Sequence, residues 1–193
     1  MGRSWMVCPR NAMITIMFPS HVARLVTLAD RDLRLQDGQR LFLAGEPVRH
    51  LFVVREGVVR MMRRQATGAT LVVHRVPPGA LVAEASVFAP NYPCDAVATG
   101  ETLLARIPKA RVLALQVQEP SWVQEFAAHL AAEVQRTRAR AELLSLKKVG
   151  ERVDAWASLN QGPIPERGRW AEWAGELGVT PEALYRELAR RRP

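Results

Sequence analysis

Toward the end of this 193-residue chain, Thr180, Pro181, Glu182, Tyr185 and Arg186 stand at a spacing that could read base-pair edges. Threonine is a good helix N-cap, and proline fits the first helical position. Leu184 and Leu188 then carry the buried side of a short helix, leaving Glu182, Tyr185, Arg186 and Ala189 opposite them. An arginine one turn into such a helix can fork onto guanine O6 and N7, and a glutamate can accept from cytosine N4. Glu182 and Arg186 also stand at i and i+4, where an ordinary solvated pair would stabilise the helix by about 0.3 kcal/mol.

The other reactive side chains do not converge on a reaction. His21, His50, His74 and His129 are scattered through the sequence, and no P-loop, HExxH, GxSxG or deaminase signature is present. Cys8 and Cys94 are the only cysteines, too few for the four thiolates of an iron–sulfur cluster and not in a CxxC pair for zinc. His74, Cys94 or a methionine could in principle ligate haem, and Cys94 could be a redox thiol without a neighbouring base. No enzyme activity, cofactor or metal is expected. Apolar residues make up 48% and charged residues 24%, which suits a folded globular chain. Lys and Arg number 27 against 19 Asp and Glu, a net charge of +8 that favours a polyanionic partner. The last 58 residues carry +4 and the first 135 carry +4, so the density of charge is about double toward the end. The apolar run 12–18 is far shorter than a membrane span, so a cytoplasmic protein is expected. The opening MGRSWMVCPRNAM reads as structureless, with Met13 or Met17 as alternative starts.

Those residues need elements to hold them. Between Leu33 and Leu104, Gly38, Gly45, Gly57, Gly68 and Gly79 recur at intervals of 7 to 12, with β-rich runs between them. This predicts a compact antiparallel β-domain, preceded by a short helix over Ser20–Leu28. Lys109–Gln118 suits a helix ended by Pro120, and Ser121 offers a cap for a longer one. Along that longer helix Val123, Ala127, Leu130, Val134, Thr137, Ala141 and Leu144 recur in alternating steps of four and three. A strict 3.5-residue period, flanked by Arg136, Arg138 and Arg140, is a two-helix seam rather than a stripe covering the β-domain. A parallel homodimer is expected. Val149–Leu159 is amphipathic, and Asn160–Gly168 reads as a loop. Trp170, Trp173, Ala174 and Leu177 then share one helical face before Gly178, which gives helix, turn, helix. In such a unit the second helix presents its N-terminal residues to the major groove.

The order β-roll, long helix, helix-turn-helix resembles the CRP/FNR family of bacterial transcription regulators over about Leu33–Arg192. Three segments carry the resemblance: LFLAGEPVRHLFVVREGVVRM at 41–61, PPGALVAEASVF at 77–88 and LGVTPEALYRELAR at 177–190. It implies an α+β fold: an antiparallel, jelly-roll-like β-roll over 33–118, a dimerisation helix over 119–147 and an all-α DNA-binding domain over 148–193, after an N-terminal segment 1–32. It also implies base reading by Glu182 and Arg186, phosphate contacts by Thr180 and Arg169, and an altered half-site preference from Pro181, where cyclic-AMP-responsive members carry a further arginine. Those members hold the cyclic phosphate with Gly-Glu and Arg-Ser pairs, which here read Ala83-Glu84 and Cys94-Asp95. Nothing at position 94 can neutralise a phosphate as arginine does, and Asp95 would repel it. Thr137 matches an adenine-contact position, while Arg138 replaces a serine. The effector pocket is therefore expected to be degenerate and cyclic AMP not to act. Members usually follow the recognition helix with a two-stranded wing, whereas this sequence stops at Pro193, so Arg190 to Arg192 are expected to supply some phosphate contacts and binding to be more salt-sensitive. The expected partners are double-stranded DNA and a second copy, with RNA polymerase a further candidate and no membrane. The alternative is an interaction module of the same fold that acts through protein contacts.

Overall fold

A computed structural model describes residues 19–65, 68, 70–160 and 163–191. The opening residues with Cys8, Met13 and Met17, the run 12–18, part of the loop after Asn160, and Arg192 lie outside the described residues. By packing, the chain forms two compact units, one up to Ala127 and one from Ala128.

In the first unit, α1 (Ser20–Val26) leads into strands β1 (Arg31–Leu35), β2 (Arg40–Phe42), β3 (His50–Arg64), β4 (Thr70–Val76), β5 (Leu81–Val82) and β6 (Asp95–Pro108). All pairings are antiparallel, in the order β1-β6-β3-β4, with β2 on β6 and β5 on β3. The inward face is apolar: Leu35, Phe42, Phe52, Val54, Val59, Val76, Val82 and Leu104 form one core. Within it the Phe42 and Tyr92 rings stack, and the Tyr92 hydroxyl donates to His50 O at 2.6 Å.

Gly57 was expected to punctuate two strands; instead β3 continues through it. The glycine sits at φ +77° where the register with β6 shifts, and a Cβ there would lie 2.5 Å from Glu101 O and 2.8 Å from Thr102 Cα. It is a bulge that bends a single 15-residue strand, made by close approach of two backbones. The sheet is followed by α2 (Lys109–Gln118) and α3 (Pro120–Ser145). α3 starts on Pro120, so Ser121 lies inside the helix rather than capping it. Likewise Pro19 precedes α1, and the Ser20 hydroxyl reaches across to Glu125. Trp122 Nε1 donates to His21 O at 2.9 Å, and Arg24 pairs with Glu119, which ties α1 to the start of α3.

The second unit holds the rest of α3, then α4 (Val149–Asn160), α5 (Trp170–Glu176) and α6 (Pro181–Arg190). Its core is Leu143, Val153, Trp173, Ala174, Leu177, Leu184 and Leu188. Trp156 meets Trp173 edge-on at 5.2 Å and donates from Nε1 to Glu176 at 3.0 Å. These are the faces that the 3.6-residue spacing marks as apolar.

Candidate nucleic-acid interface

The recognition-type helix is built from its cap upward. Thr180 is extended (φ −74°, ψ 150°), and its Oγ1 accepts from Ala183 N at 3.2 Å. Pro181 follows at the first turn, where a missing N–H costs nothing. The Glu182 carboxyl is held below its usual range, first by its own backbone N–H, then by the Thr180 hydroxyl and by Arg186. The ring of Tyr185 rests against Trp170 at 5.6 Å, which stiffens it at the surface. Glu182, Tyr185, Arg186 and Arg190 are exposed, whereas Leu184, Glu187 and Leu188 are buried. One face of α6 is thus committed to the core and the other carries the polar groups.

Around this helix the arginines divide by role. Arg169 is exposed and loosely paired with Glu172 at 3.7 Å. Arg190 pairs with Glu187 and stays largely in solvent. Arg191, expected to touch phosphate, has its guanidinium engaged within the chain: it donates to Asp154 Oδ1 at 2.6 Å, Glu187 Oε1 at 2.8 Å and Gly150 O at 2.9 Å. Its carboxylate partners and a backbone carbonyl use its donors to hold the end of α6 on α4.

A cleft of about 770 Å³ separates the start of α4 from α6, bordered by Lys147, Lys148, Arg186 and Arg190 with Glu151 and Glu187. Lys147 and Lys148 were not singled out from sequence; the adjacent pair just before Val149 was the available sign. Arg152 was also missed; two of its acceptors, Leu177 O and Gly178 O, come from a segment distant in sequence.

On α3, Val123, Ala127, Val134, Thr137, Ala141 and Leu144 are exposed in the single chain and Leu130 is half-buried. The intrachain packing uses Trp122, Phe126 and Leu143, a different set of positions. Leu144 has a second role, since its side chain lies against Gly178 in the α5–α6 turn.

In the β-domain, Ala83 is buried at φ +68° before a short 3-10 turn, Glu84–Ser86. Cys94 is buried, and desolvation pushes its thiol up, opposed by Arg63 and assisted by Asp95 and Glu84. Glu84 and Asp95 are thus within electrostatic reach of Cys94. Asp95 Oδ1 accepts from Ala44 N at 2.8 Å. The adjoining cleft, about 440 Å³, is bordered by Arg40, Met62, Arg63 and Arg64 as well as Cys94 and Asp95. Thr137 and Arg138 are both exposed on α3. His74 is exposed on β4. Among the described residues, no group of three or more His, Cys, Asp or Glu could hold a metal ion, and no helix is long and apolar enough to cross a membrane.

Comparison with known proteins bears on both units. The model of the cyclic nucleotide-binding domain matches residues 32–119. The fumarate and nitrate reduction regulatory protein of Vibrio cholerae is 25% identical over 181 residues, covering 89% of this chain and 72% of that one. The catabolite activator protein of Thermus thermophilus superposes with a TM-score of 0.56 at 26% identity, covering 91% and 84% of the two chains. FixK2 of Bradyrhizobium japonicum, at 18% identity, shares the fold with a TM-score of 0.65 over 83% of each chain. By name, the Vibrio cholerae relative is a regulatory protein and the Thermus thermophilus one an activator protein. With a nucleotide-binding-type β-domain, a long helix and a capped second helix in that order, the chain is similar over most of its length to transcription regulators of the CRP/FNR family.

Proposed function

We propose that this regulator acts in the cytoplasm as a homodimer, paired along the α3 seam, that places two copies of α6 in successive major grooves about 34 Å apart. Its site is pseudo-palindromic, and it works without cyclic AMP. The observation that carries this is the two-sidedness of α6: Leu184 and Leu188 are buried while Glu182, Tyr185 and Arg186 lie together on the exposed side. Glu182 and Arg186 are the base readers, and Thr180, Arg169 and Arg190 meet phosphates. Exposure of Val123 and Val134 supports pairing along α3, because a stripe that merely covered its own β-domain would be buried. Independence of cyclic AMP is supported at Cys94, a buried thiol whose ionisation desolvation disfavours, where a bidentate cation would be required. Asp95 adds a carboxylate fixed by Ala44. A contact with RNA polymerase is part of the proposal for an activating role.

Selection of bound duplexes from a random pool tests all of this at once. The expected product is an inverted repeat, identical with and without cyclic AMP. On it, R186A weakens binding by about 1–3 kcal/mol and relaxes one base pair, whereas R169A weakens specific and random duplexes alike. Equal losses on both kinds of DNA for both variants would remove Arg186 from the base-reading role.

A further inference from the structure

Arg152 stands one turn into α4, half-buried, and its guanidinium donates four hydrogen bonds, all to backbone carbonyls. Nε reaches Leu146 O at 2.8 Å and Nη2 reaches Leu144 O at 3.1 Å, both at the end of α3. Nη1 reaches Leu177 O at 2.9 Å and Gly178 O at 3.0 Å, both in the turn after α5. The last carbonyls of a helix lack partners within it, so one cation satisfies two chain ends together. Gly178 brings the same two segments into contact. At φ +63°, a Cβ there would stand 2.6 Å from Leu144 Cδ2 and 3.2 Å from Arg152 Nη1. Only residues 146–148 link α3 to α4, and α6 begins three residues after Gly178.

We propose that Arg152 is a positioning residue: by joining the end of α3 to the α5–α6 turn, it sets the angle of the recognition helix to the seam and hence the half-site spacing the dimer accepts. This rests on the homodimeric DNA-binding function proposed above. The fork is the essential feature. Arginine spreads its donors over a rigid plane, whereas a lysine ammonium gathers three donors on one nitrogen and cannot span both pairs of carbonyls. Loosening the joint leaves α6 itself intact, because its cap and its leucines are separate from Arg152. Base preference within a half-site is then kept while spacing selectivity is lost.

The test uses the full chain, R152K and R152A, on inverted repeats of the selected half-site with the spacer changed in single base-pair steps, and on an isolated half-site. The wild-type chain is expected to favour one spacer by roughly tenfold over its neighbours, and both variants to bring that ratio to within about threefold at unchanged half-site affinity and base preference. R152K that keeps the wild-type ratio overturns the proposal. So does a fall in half-site affinity as large as the loss of spacing selectivity, since arginine would then only hold the unit folded. Should tryptophan fluorescence show R152A unfolded, R152K alone decides. A wild-type chain that binds no inverted repeat as a dimer defeats the proposed function itself. One that binds them with no spacer preference defeats this inference only.

Discussion

Single side chains in this molecule are tuned by what they touch rather than by their type. Asp30 accepts from Arg106 Nε at 3.0 Å, and that hydrogen bond is the main reason its carboxyl is lowered to about 2. An aspartate in an unfolded chain titrates near about 3.9, so the folded state favours the ionised form. The resulting stabilisation is fully present above about pH 4 and is lost as pH falls through about 2. Carboxyl-carbon NMR should give a midpoint near the lower value for Asp30, and D30N should lose stability at neutral pH but show a flatter decline across that acid window. A midpoint in the ordinary aspartate range would mean that the pair does not persist in solution. Glu182 is lowered too, but by its own N–H and the Thr180 hydroxyl as well as Arg186, so in the free protein it is engaged with the cap. In the proposed base-reading role it would have to exchange that local partner for a cytosine amino group, so Glu182 is expected to contribute less than the exposed Arg186.

Elements show a different economy, in which one backbone position decides the shape of a whole strand. The bulge at Gly57 keeps β3 continuous over 15 residues while shifting its register against β6. Thr102 is fully buried beside it, and its Oγ1 donates to Gly100 O at 3.2 Å. A side chain at position 57 would meet the backbone of β6 at Glu101 O and Thr102 Cα as well as the Thr102 hydroxyl. G57A therefore combines a strained positive φ with a backbone clash, and should cost about 2 kcal/mol or more in urea denaturation. A substitution to alanine at Gly38, also at positive φ but with nothing within 4 Å, should cost less and serves as the control. Equal losses at the two sites would show that conformational strain alone, without the close approach, accounts for the effect. In α6 the balance is again local: the Thr180 cap, Pro181 and Leu184 act within one turn, so the helix start is defined by neighbouring residues.

At the scale of the molecule, the proposed function rests on a face of α3 that the single chain leaves exposed. Val134 is 48% exposed near the middle of the seam, so a charge placed there disturbs no intrachain packing. V134D should remain folded, sediment as a monomer where the parent sediments as a dimer, and bind an inverted repeat at least about 100-fold more weakly with half-site affinity unchanged. A V134D chain that still sediments as a dimer would place the pairing surface elsewhere. Charge acts at this scale as well. Lys147, Lys148, Arg186, Arg190 and Arg191 border one cleft, but the donors of Arg191 are engaged by Asp154, Glu187 and Gly150. Formal net charge therefore overstates the number of cations available to a duplex, because some arginines are structural.

Patterns that repeat along the chain were legible in the sequence: the glycine-punctuated strands, the 3.5-residue stripe on α3, and the apolar faces of α5 and α6. Each is set by local geometry, since side chains alternate on a strand and recur at 3.6 residues on a helix. The helix α6 was legible for the same reason, with Thr180, Pro181, Leu184 and Leu188 all acting within it. What depends on residues far apart was not. Gly57 looks like any turn glycine until β6 is laid against it, Arg191 looks like one more free cation until Asp154 meets it, and Arg152 gives no sign of its four carbonyl partners. Periodicity records which way a side chain faces; only the folded chain determines what stands opposite, and that decides whether a glycine turns or bulges and whether an arginine binds DNA or its own backbone.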